Sequence, residues 1–196
     1  SIEQIKSMMG TKLEVVEETL TYSGADLPDN FDARTEWGSK VHSIRNQGQC
    51  GSCWAFGATE ALTDRLAIEQ GVDVVLSPQH LVACDNNNYG CNGGYLNYAW
   101  MFMAKTGVVS DSCFPYTSGT SGQDGPCLSD CKDGSAWTTY HADGSHTSRS
   151  VKATQEELMT HGPVEAAFTV YEDFMSYKSG IYHHTSGRML GGHAIK

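Results

Sequence analysis

The chain has 196 residues, of which 39% are hydrophobic, and its formal net charge at pH 7 is −10. This length predicts one large domain or two small ones, with enough apolar residues to build a core. The acidic balance argues against nucleic acids and anionic membranes as partners, because both carry negative charge. No apolar run reaches the length that spans a bilayer.

The first 26 residues form an extension that precedes the denser part of the sequence. Apolar side chains recur on one helical face up to Met9, and Gly10-Thr11 ends that helix. The segment then becomes polar and closes at Asp26, and it contains no secretion signal. Taken alone, this pattern indicates a flexible N-terminal extension.

The stretch from Gln47 to Phe56, QGQCGSCWAF, passes from a loop into a helix. Its glycines permit a tight backbone, and Ser52 is a candidate N-cap. Cys53 then falls in the first helical turn, where the helix dipole and free N–H groups favour a negative charge. Because the thiolate is the reactive form, Cys53 is the candidate nucleophile.

A catalytic thiolate needs a general base, and His193 is the best candidate, 140 residues downstream. The pattern Cys-Gly-Ser-Cys-Trp, followed by a His after about 130–150 residues, is a recognised signature of papain-type proteases. The alternative is a structural Cys with an unrelated His, which the length of the motif disfavours. The other seven histidines, including His183 and His184, are predicted to lie on the surface.

Seven cysteines indicate the compartment of the protein. Six paired and one free would suit an oxidising compartment and a thiol enzyme, but the sequence by itself does not choose the pairs. A zinc site is the rival explanation, because Cys50-x-x-Cys53 and Cys127-x-x-x-Cys131 have tolerable ligand spacing. It ranks lower, since no partner pair lies at finger distance. We expect no metal and no cofactor.

Local signals predict helices first and strands later. Ser77-Pro78 is typical of a helix start, and residues 95–105 have helical spacing. Thr154-x-x-Glu157 predicts a capping box for a short helix that ends at Gly162. Alternation from Val164 onwards predicts a strand. This order is typical of an α+β fold.

A series of short motifs extends in fixed order from Leu27 to the end of the chain. It comprises LPDNFDAR at 27–34, LVAC at 81–84, GCNGGY at 90–95, CFPY at 113–116, GPVEAAF at 162–168, YKSGIY at 177–182 and GGHA at 191–194. With the motif around Cys53, they resemble the papain family of cysteine proteases over residues 27–196. The runs FGATEA at 56–61 and GPVE at 162–165 favour its cathepsin B-like branch.

The resemblance implies a papain-like two-domain fold with the active site in the cleft between the domains. Residues 1–26 would be a propeptide remnant, with Gly10-Thr11 crossing the catalytic Cys. Residues 27–142 would form a mainly helical, disulfide-bonded left domain that carries the nucleophile. Residues 143–196 would form a β-rich right domain that carries the catalytic His, and the polar stretch 133–150 would cross between them.

The resemblance also implies a role for each site residue. Cys53 and His193 would form a thiolate–imidazolium pair, and Gln47 would bind the oxyanion with its side-chain amide. By itself the run at 92–94 would be a simple turn. The implied substrate-binding residues are Asn92, Gly93, Gly94, Ala167, Leu190 and Gly192, of which Ala167 and Leu190 would line the apolar specificity pocket. The implied disulfides are Cys50–Cys91, Cys84–Cys127 and Cys113–Cys131, which leave Cys53 free.

Two features depart from the family pattern. The chain stops three residues after His193, so the family's Asn-Ser-Trp segment and the floor of the specificity pocket would lie beyond Lys196. We therefore expect a fragment or one piece of a cleaved enzyme. In addition, only residues 114–126 separate Cys113 from Cys127, and they contain no His. The long occluding loop of cathepsin B is thus absent, which predicts a cleft open at both ends.

These implications predict a cysteine endopeptidase, as a zymogen or a fragment of one. Its partners would be polypeptide substrates, its own propeptide as inhibitor and cystatin-type inhibitors. Its location would be the lysosome, another acidic vacuole or the cell exterior. One alternative is a catalytically incomplete homologue that binds peptides at Gly93-Gly94 without cleaving them. Another is a secreted disulfide scaffold, which would leave Gln47 and His193 unexplained.

Overall fold

The computed structural model describes residues 2–14 and 17–196 and has an α+β architecture. Its helices and strands are α1 (Ile2–Met8), α2 (Ala33–Trp37), α3 (Cys53–Arg65), α4 (Pro78–Cys84), α5 (Leu96–Lys105), α6 (Ser118–Ser121), α7 (Val151–His161), β1 (Ala166–Tyr171) and β2 (Met189–Ile195). The predicted fold class is confirmed. The predicted domain boundaries stay predictions, and residues 1, 15 and 16 of the extension lie outside the described residues. In the described part of the chain, no helix is both long and apolar enough to cross a membrane.

Helix α3 lies at the centre of the core because its side chains are small or apolar on nearly every face. A π-helical turn at 66–70 continues it, and the chain leaves at Gly71 with a φ of 68°, a left-handed conformation that suits glycine. Each large side chain buried here contributes about 1.5–3 kcal/mol by leaving water. The surrounding core includes Trp54, Ala58, Leu62, Leu81 and Met103.

Three disulfides fasten the loops of the helical region. They join Cys50 to Cys91, Cys84 to Cys127 and Cys113 to Cys131, which are the pairs that the resemblance implies. Loops of this size give about 3–4 kcal/mol each in the chain-entropy account. The first disulfide also ties the loop before α3 to the turn Gly90–Asn92, close to the Trp54 indole, which donates to the Gly90 carbonyl at 3.1 Å.

Helix α4 begins as predicted, but it also carries a histidine, His80, whose predicted position on the surface was wrong. The Ser77 hydroxyl accepts from the His80 backbone N–H at 3.0 Å, and Pro78 is the first helical residue. All histidines other than His193 were expected on the surface, but only 3% of His80 is exposed to solvent. The rings of Phe102 and Trp137 pack against it. Burial lowers the pKa of His80 to about 4.

Helix α7 begins earlier than the capping box at Thr154 predicted. Ser150 is the N-cap, and its hydroxyl accepts from the Ala153 backbone N–H at 3.3 Å. With this cap in place Thr154 lies inside the helix. Glu157 does not reach back to a cap; its carboxylate instead binds Arg65 of α3 at 2.7 Å. The predicted C-terminal end at Gly162 is correct.

Strands β1 and β2 form a two-stranded antiparallel sheet that packs against α3. The register pairs Phe168 with His193, and Leu190 is the extra residue of a β-bulge. Just past the end of β2, the Lys196 ammonium binds the buried Asp64 carboxylate of α3 at 2.7 Å. This ion pair anchors β2 along the helix that begins at the candidate nucleophile.

The N-terminal segment, defined as residues 2–14 and 17–26, is docked on the rest of the chain. Helix α1 contacts β2. Further along, the backbone N–H groups of Thr19 and Leu20 both donate to the Thr147 carbonyl, at 2.9 and 3.0 Å. The expectation of a flexible extension is therefore wrong: the segment has defined contacts at both of its ends.

Candidate active site

Cys53 is the first residue of α3 and the free cysteine of the described chain. Cys53 is buried, with only 1% of its surface exposed to solvent. Ser52 takes the N-cap position, as predicted, but its hydroxyl makes no capping bond to the helix. The N–H groups of Ala55 and Phe56 donate instead to the Ser52 carbonyl, at 2.9 and 3.1 Å. The positive end of the helix dipole lies at this position and favours a negative charge there.

His193 lies on β2, and its ring meets Phe168 edge-on at a centroid distance of 6.0 Å. Its Nδ1 atom is buried and has no hydrogen-bond partner among residues 2–14 and 17–196. Burial lowers the pKa of His193, because an apolar surrounding disfavours the imidazolium. A buried ring nitrogen without a partner is costly, which makes it a natural proton acceptor for a nearby acidic group.

Thr11 of the N-terminal segment connects the two candidate catalytic residues. Its hydroxyl oxygen lies 3.2 Å from Cys53 Sγ. Its backbone N–H donates to the Gly192 carbonyl at 3.1 Å, and Gly192 directly precedes His193. The helix that carries the thiol and the strand that carries the imidazole therefore face the same short piece of chain.

The Gln47 side chain lies in the same cleft, and its residue is only 9% exposed. Its amide nitrogen donates to two carbonyl oxygens, that of Met8 at 2.9 Å and that of Cys50 at 2.8 Å. The amide that the resemblance assigns to the oxyanion is thus already bound to a peptide carbonyl of the N-terminal segment.

One wall of the cleft offers its backbone to the N-terminal segment. The Gly94 N–H donates to the Gly10 carbonyl at 2.7 Å, and the Lys12 N–H donates to the Gly94 carbonyl at 2.9 Å. These bonds form a parallel bridge between Thr11 and Gly94. Asn92 is exposed and closes the turn that precedes this wall.

Glycine is required on both walls because the N-terminal segment passes so close. A Cβ atom on Gly93 would lie 2.4 Å from the Gly10 carbonyl oxygen, and Gly93 also has a φ of 106°. A Cβ atom on Gly192 would lie 2.4 Å from the Thr11 carbonyl oxygen. Any larger residue would therefore push an extended chain out of the cleft.

A cavity of about 420 Å³ lies beside the N-terminal segment, on the side of β1. Of the two residues predicted to line the specificity pocket, Ala167 on β1 lines this cavity. Leu190 is half-buried on β2 and is not among the described residues that line it. The structure therefore brings only one of the two predicted pocket residues to it. The apolar side chains at the cavity wall include Leu13, Leu20, Leu96, Trp100 and Ala167.

Glu165 also lines this cavity, although its place in the sequence predicts no functional role for it. One of its carboxyl oxygens accepts from the Trp100 indole N–H at 2.8 Å. The other is buried and has no partner among residues 2–14 and 17–196. Burial, and secondarily the nearby charge of Cys53, raise the pKa of Glu165 well above its usual value. The sequence offered one sign of this special position, because Glu165 is an acidic residue within the alternating stretch that begins at Val164.

Comparison with known proteins identifies clear relatives. The family profile described as "Papain family cysteine protease" matches residues 27–196. Cathepsin B of Dictyostelium discoideum is 43% identical over 190 residues, covering 88% of this chain and 61% of that protein. "Cathepsin B-like CP3" of Giardia intestinalis is 42% identical over 187 residues, covering 89% of this chain and 60% of that protein.

Solved structures give the same result. The structure of procathepsin B S9 from Trypanosoma congolense covers 99% of this chain with a TM-score of 0.89 and 27% identity, and this chain covers 71% of it. Digestive procathepsin L2 from Tenebrio molitor gives a TM-score of 0.74 at 26% identity, covering 98% of this chain and 64% of its own. The chain spans about three fifths of the length of the two sequence relatives named above.

Proposed function

Because this chain belongs to the papain family of cysteine proteases, we propose that its protein is a cathepsin B-like cysteine endopeptidase in its inactive proenzyme form. One observation carries the proposal. A free thiol at the start of α3 and the strand that carries His193 both contact Thr11, a residue of the N-terminal segment. The thiol and the imidazole are thus available to one extended peptide. The similar proteins are described as cathepsins or proteinases, so a binder without catalysis is not favoured.

The proposed reaction uses Cys53 as nucleophile and His193 as acid and base. The Cys53 thiolate forms a bond to the carbonyl carbon of the scissile peptide, whose oxygen becomes an oxyanion. The Gln47 amide and the Cys53 backbone N–H donate to that oxyanion. The imidazolium of His193 then gives its proton to the leaving amine, which departs. Water, deprotonated by the neutral imidazole, hydrolyses the thioester and restores the thiolate.

The N-terminal segment is the proposed inhibitor of this reaction. It occupies the Gln47 amide with the Met8 carbonyl and covers Cys53 Sγ with the Thr11 hydroxyl. It also takes the backbone groups of Gly94 and Gly192 that a substrate would use. Residues 1–26 would therefore be the end of a propeptide, and we propose that maturation cuts near Asp26-Leu27.

Preference for internal peptide bonds is proposed from the short segment at residues 117–125. A carboxylate at the end of a substrate is held best by a cation, and this segment has none. Its one charged side chain, Asp124, accepts from the Cys91 backbone N–H at 2.6 Å and is acidic. The cleft should then accept long chains. A peptide with a free carboxylate two residues past the scissile bond should be cleaved no faster than its C-terminal amide.

The wider setting of the enzyme is proposed from its family and its disulfides. Polypeptides would be its substrates, and cystatin-type proteins would inhibit the mature form. Three disulfides suit an oxidising compartment, so we place the protein in the lysosome, another acidic vacuole or the cell exterior.

The experiment that tests the function uses the full-length natural protein after its N-terminal segment has been removed by processing. Wild type should hydrolyse an internally quenched peptide and be labelled by an epoxide thiol trap. Cys53→Ala should lose both properties, and His193→Ala should lose hydrolysis while staying folded by circular dichroism. Hydrolysis that persists in Cys53→Ala would show that another residue is the nucleophile.

A further inference from the structure

Tyr116 joins the two parts of the site that would bind the oxyanion. Its hydroxyl donates to the Gln47 backbone carbonyl at 2.7 Å. The same hydroxyl lies 2.7 Å from the Ser52 hydroxyl. Because the single Tyr116 proton is used on the carbonyl, Ser52 is the donor in this second bond. One phenol therefore connects the residue that carries the oxyanion amide to the residue just before Cys53.

The bond to Tyr116 explains why Ser52 is an N-cap without a capping bond. A serine at this position usually accepts from an N–H of the first turn. Here its hydroxyl is directed to Tyr116 instead, and it makes no such bond. The Ser52 hydroxyl therefore does not compete with an oxyanion for an N–H group of the first turn.

The loop between Gln47 and Ser52 is tied to the chain at Cys50 by a disulfide and at Gln49 and Gly51 by backbone hydrogen bonds, and Tyr116 fixes its two ends. It contains Gly48, with a φ of 62°, and Gly51, so its backbone has few intrinsic restraints. An oxyanion site works only when its donors lie about 2.7–3.1 Å from the position of the oxygen. The two donors here, on Gln47 and Cys53, come from opposite ends of that loop.

The Tyr116 ring is itself held in place. It packs edge-on against Phe56 of α3 at a centroid distance of 4.7 Å. Gly119 also lies so close that a Cβ atom there would come within 2.8 Å of the ring. Burial raises the pKa of Tyr116, so its hydroxyl keeps the proton that it donates. A rigid ring with a protonated hydroxyl can fix the distance between its two partners.

We propose that Tyr116 is a positioning residue for oxyanion stabilisation, acting on Gln47 through its backbone and on Cys53 through Ser52. This inference rests on the proposed peptidase function. It assigns the CFPY motif a part in the chemistry, although Tyr116 is separated from Cys53 by 63 residues of sequence. Tyr116 holds the donors at their spacing and leaves the thiolate–imidazolium pair unaffected.

The test is Tyr116→Phe in the processed full-length protein, because this change keeps the ring and removes the hydroxyl. Loss of a whole oxyanion donor lowers kcat by about 10²–10³-fold. Two donors that are present but displaced from their correct spacing should lower kcat by about 10- to 100-fold. KM should change by less than about twofold, since the ground state does not need the oxyanion site. Ser52→Ala should give the same pattern, and Tyr98→Phe on α5 is the matched control that should leave kcat unchanged.

Two inhibitors separate positioning from general damage. A peptide aldehyde forms a tetrahedral adduct with Cys53 whose oxygen uses the oxyanion site, so its Ki should rise by the same factor as kcat falls. Iodoacetamide alkylates the thiolate and forms no oxyanion, so its rate with Tyr116→Phe should stay within about twofold of wild type. An alkylation rate that falls as far as kcat, or an unchanged kcat, would overturn the role of Tyr116. A processed wild type that hydrolyses no peptide would instead overturn the proposed function, and this inference with it.

Discussion

Gly10→Ala should release the N-terminal segment from the cleft without changing any residue that binds or cleaves a peptide. A Cβ atom on Gly10 would lie 1.7 Å from the Gly51 carbonyl oxygen, far inside van der Waals contact. The collision is with backbone two residues before Cys53, so no side chain can rotate away to relieve it. The segment must therefore lift off locally.

The size of the effect follows from the hydrogen bonds that this lifting breaks. Besides the contact of the Thr11 hydroxyl with Cys53 Sγ, four bonds from N–H groups to carbonyl oxygens link the described part of the segment to the cleft: Thr11 N–H to Gly192, Lys12 N–H to Gly94, Gly94 N–H to Gly10, and the Gln47 amide to Met8. At about 0.5–1.5 kcal/mol net for each bond, their loss weakens docking by about 2–6 kcal/mol. Since about 1.4 kcal/mol is tenfold in an equilibrium constant, the open population should rise between about 30-fold and 10⁴-fold.

The assay is the rate at which iodoacetamide alkylates Cys53 in the unprocessed protein, because the buried thiol reacts only when the segment has lifted. Initial rates should rise in Gly10→Ala by the factor given above. Glu3→Ala is the matched control, since Glu3 lies on α1 in the same segment and its side chain is 83% exposed. An unchanged rate in Gly10→Ala, or an equal rise in the control, would refute the assignment of the segment as a cleft inhibitor.

Three further predictions concern stability and pH. Lys196→Met should destabilise the protein by up to about 3–5 kcal/mol in urea unfolding, because the buried Asp64 carboxylate loses its ammonium partner and keeps only the backbone N–H and the ring of His42. Asp64→Asn combined with it should recover part of the loss, and additive effects would contradict the pairing. Ser23 donates from its backbone and hydroxyl to Glu156 and lowers the pKa of that carboxyl. The contribution of this contact to docking of the N-terminal segment should therefore be fully present above the unfolded pKa of about 4.5 and be lost as pH falls through the lowered folded value. Glu156→Gln should remove this part of the acid dependence of Cys53 alkylation. Buried His80 has a pKa of about 4, against about 6.5 in the unfolded chain, so below pH 6.5 the unfolded state binds a proton that the folded state does not. The free energy of unfolding should therefore fall by about 3 kcal/mol between pH 6.5 and pH 4. In calorimetry His80→Phe should reduce this loss of stability at low pH, and a pH profile identical to that of wild type would argue that His80 is not buried in its neutral form.

Several features of the fold and the site could be predicted from the sequence because they depend on neighbouring residues. The helix that starts at Cys53 and the turn at Gly71 follow from backbone preferences within a few positions. The strand after Val164 follows from an alternation of side chains, which also acts over short distances. The cysteine pattern around Cys53 singled out the free thiol for the same reason, since the motif is continuous in the chain.

Contacts between distant parts of the chain were decided only by the tertiary structure. Helix α7 starts at Val151 because Ser150 supplies a cap, while the Glu157 of the predicted capping box is drawn to Arg65, 92 residues away. Burial acts in the same way: nothing local distinguishes His80 from a surface histidine, and its neutral state comes from the aromatic rings that the fold places around it.

The candidate active site also has features that the sequence predicted and features that only the tertiary structure decided. The sequence predicted which residues would carry the reactive groups, Cys53, His193 and Gln47, because reactivity belongs to the side chain and its immediate backbone. Only the tertiary structure decided what each of those groups touches. The Met8 carbonyl on the Gln47 amide and the Tyr116 hydroxyl on the Gln47 carbonyl join residues 39 and 69 positions apart. Hydrogen bonds over such separations depend on the packing of α3 and the loops around it, and short-range sequence preferences carry no information about that packing.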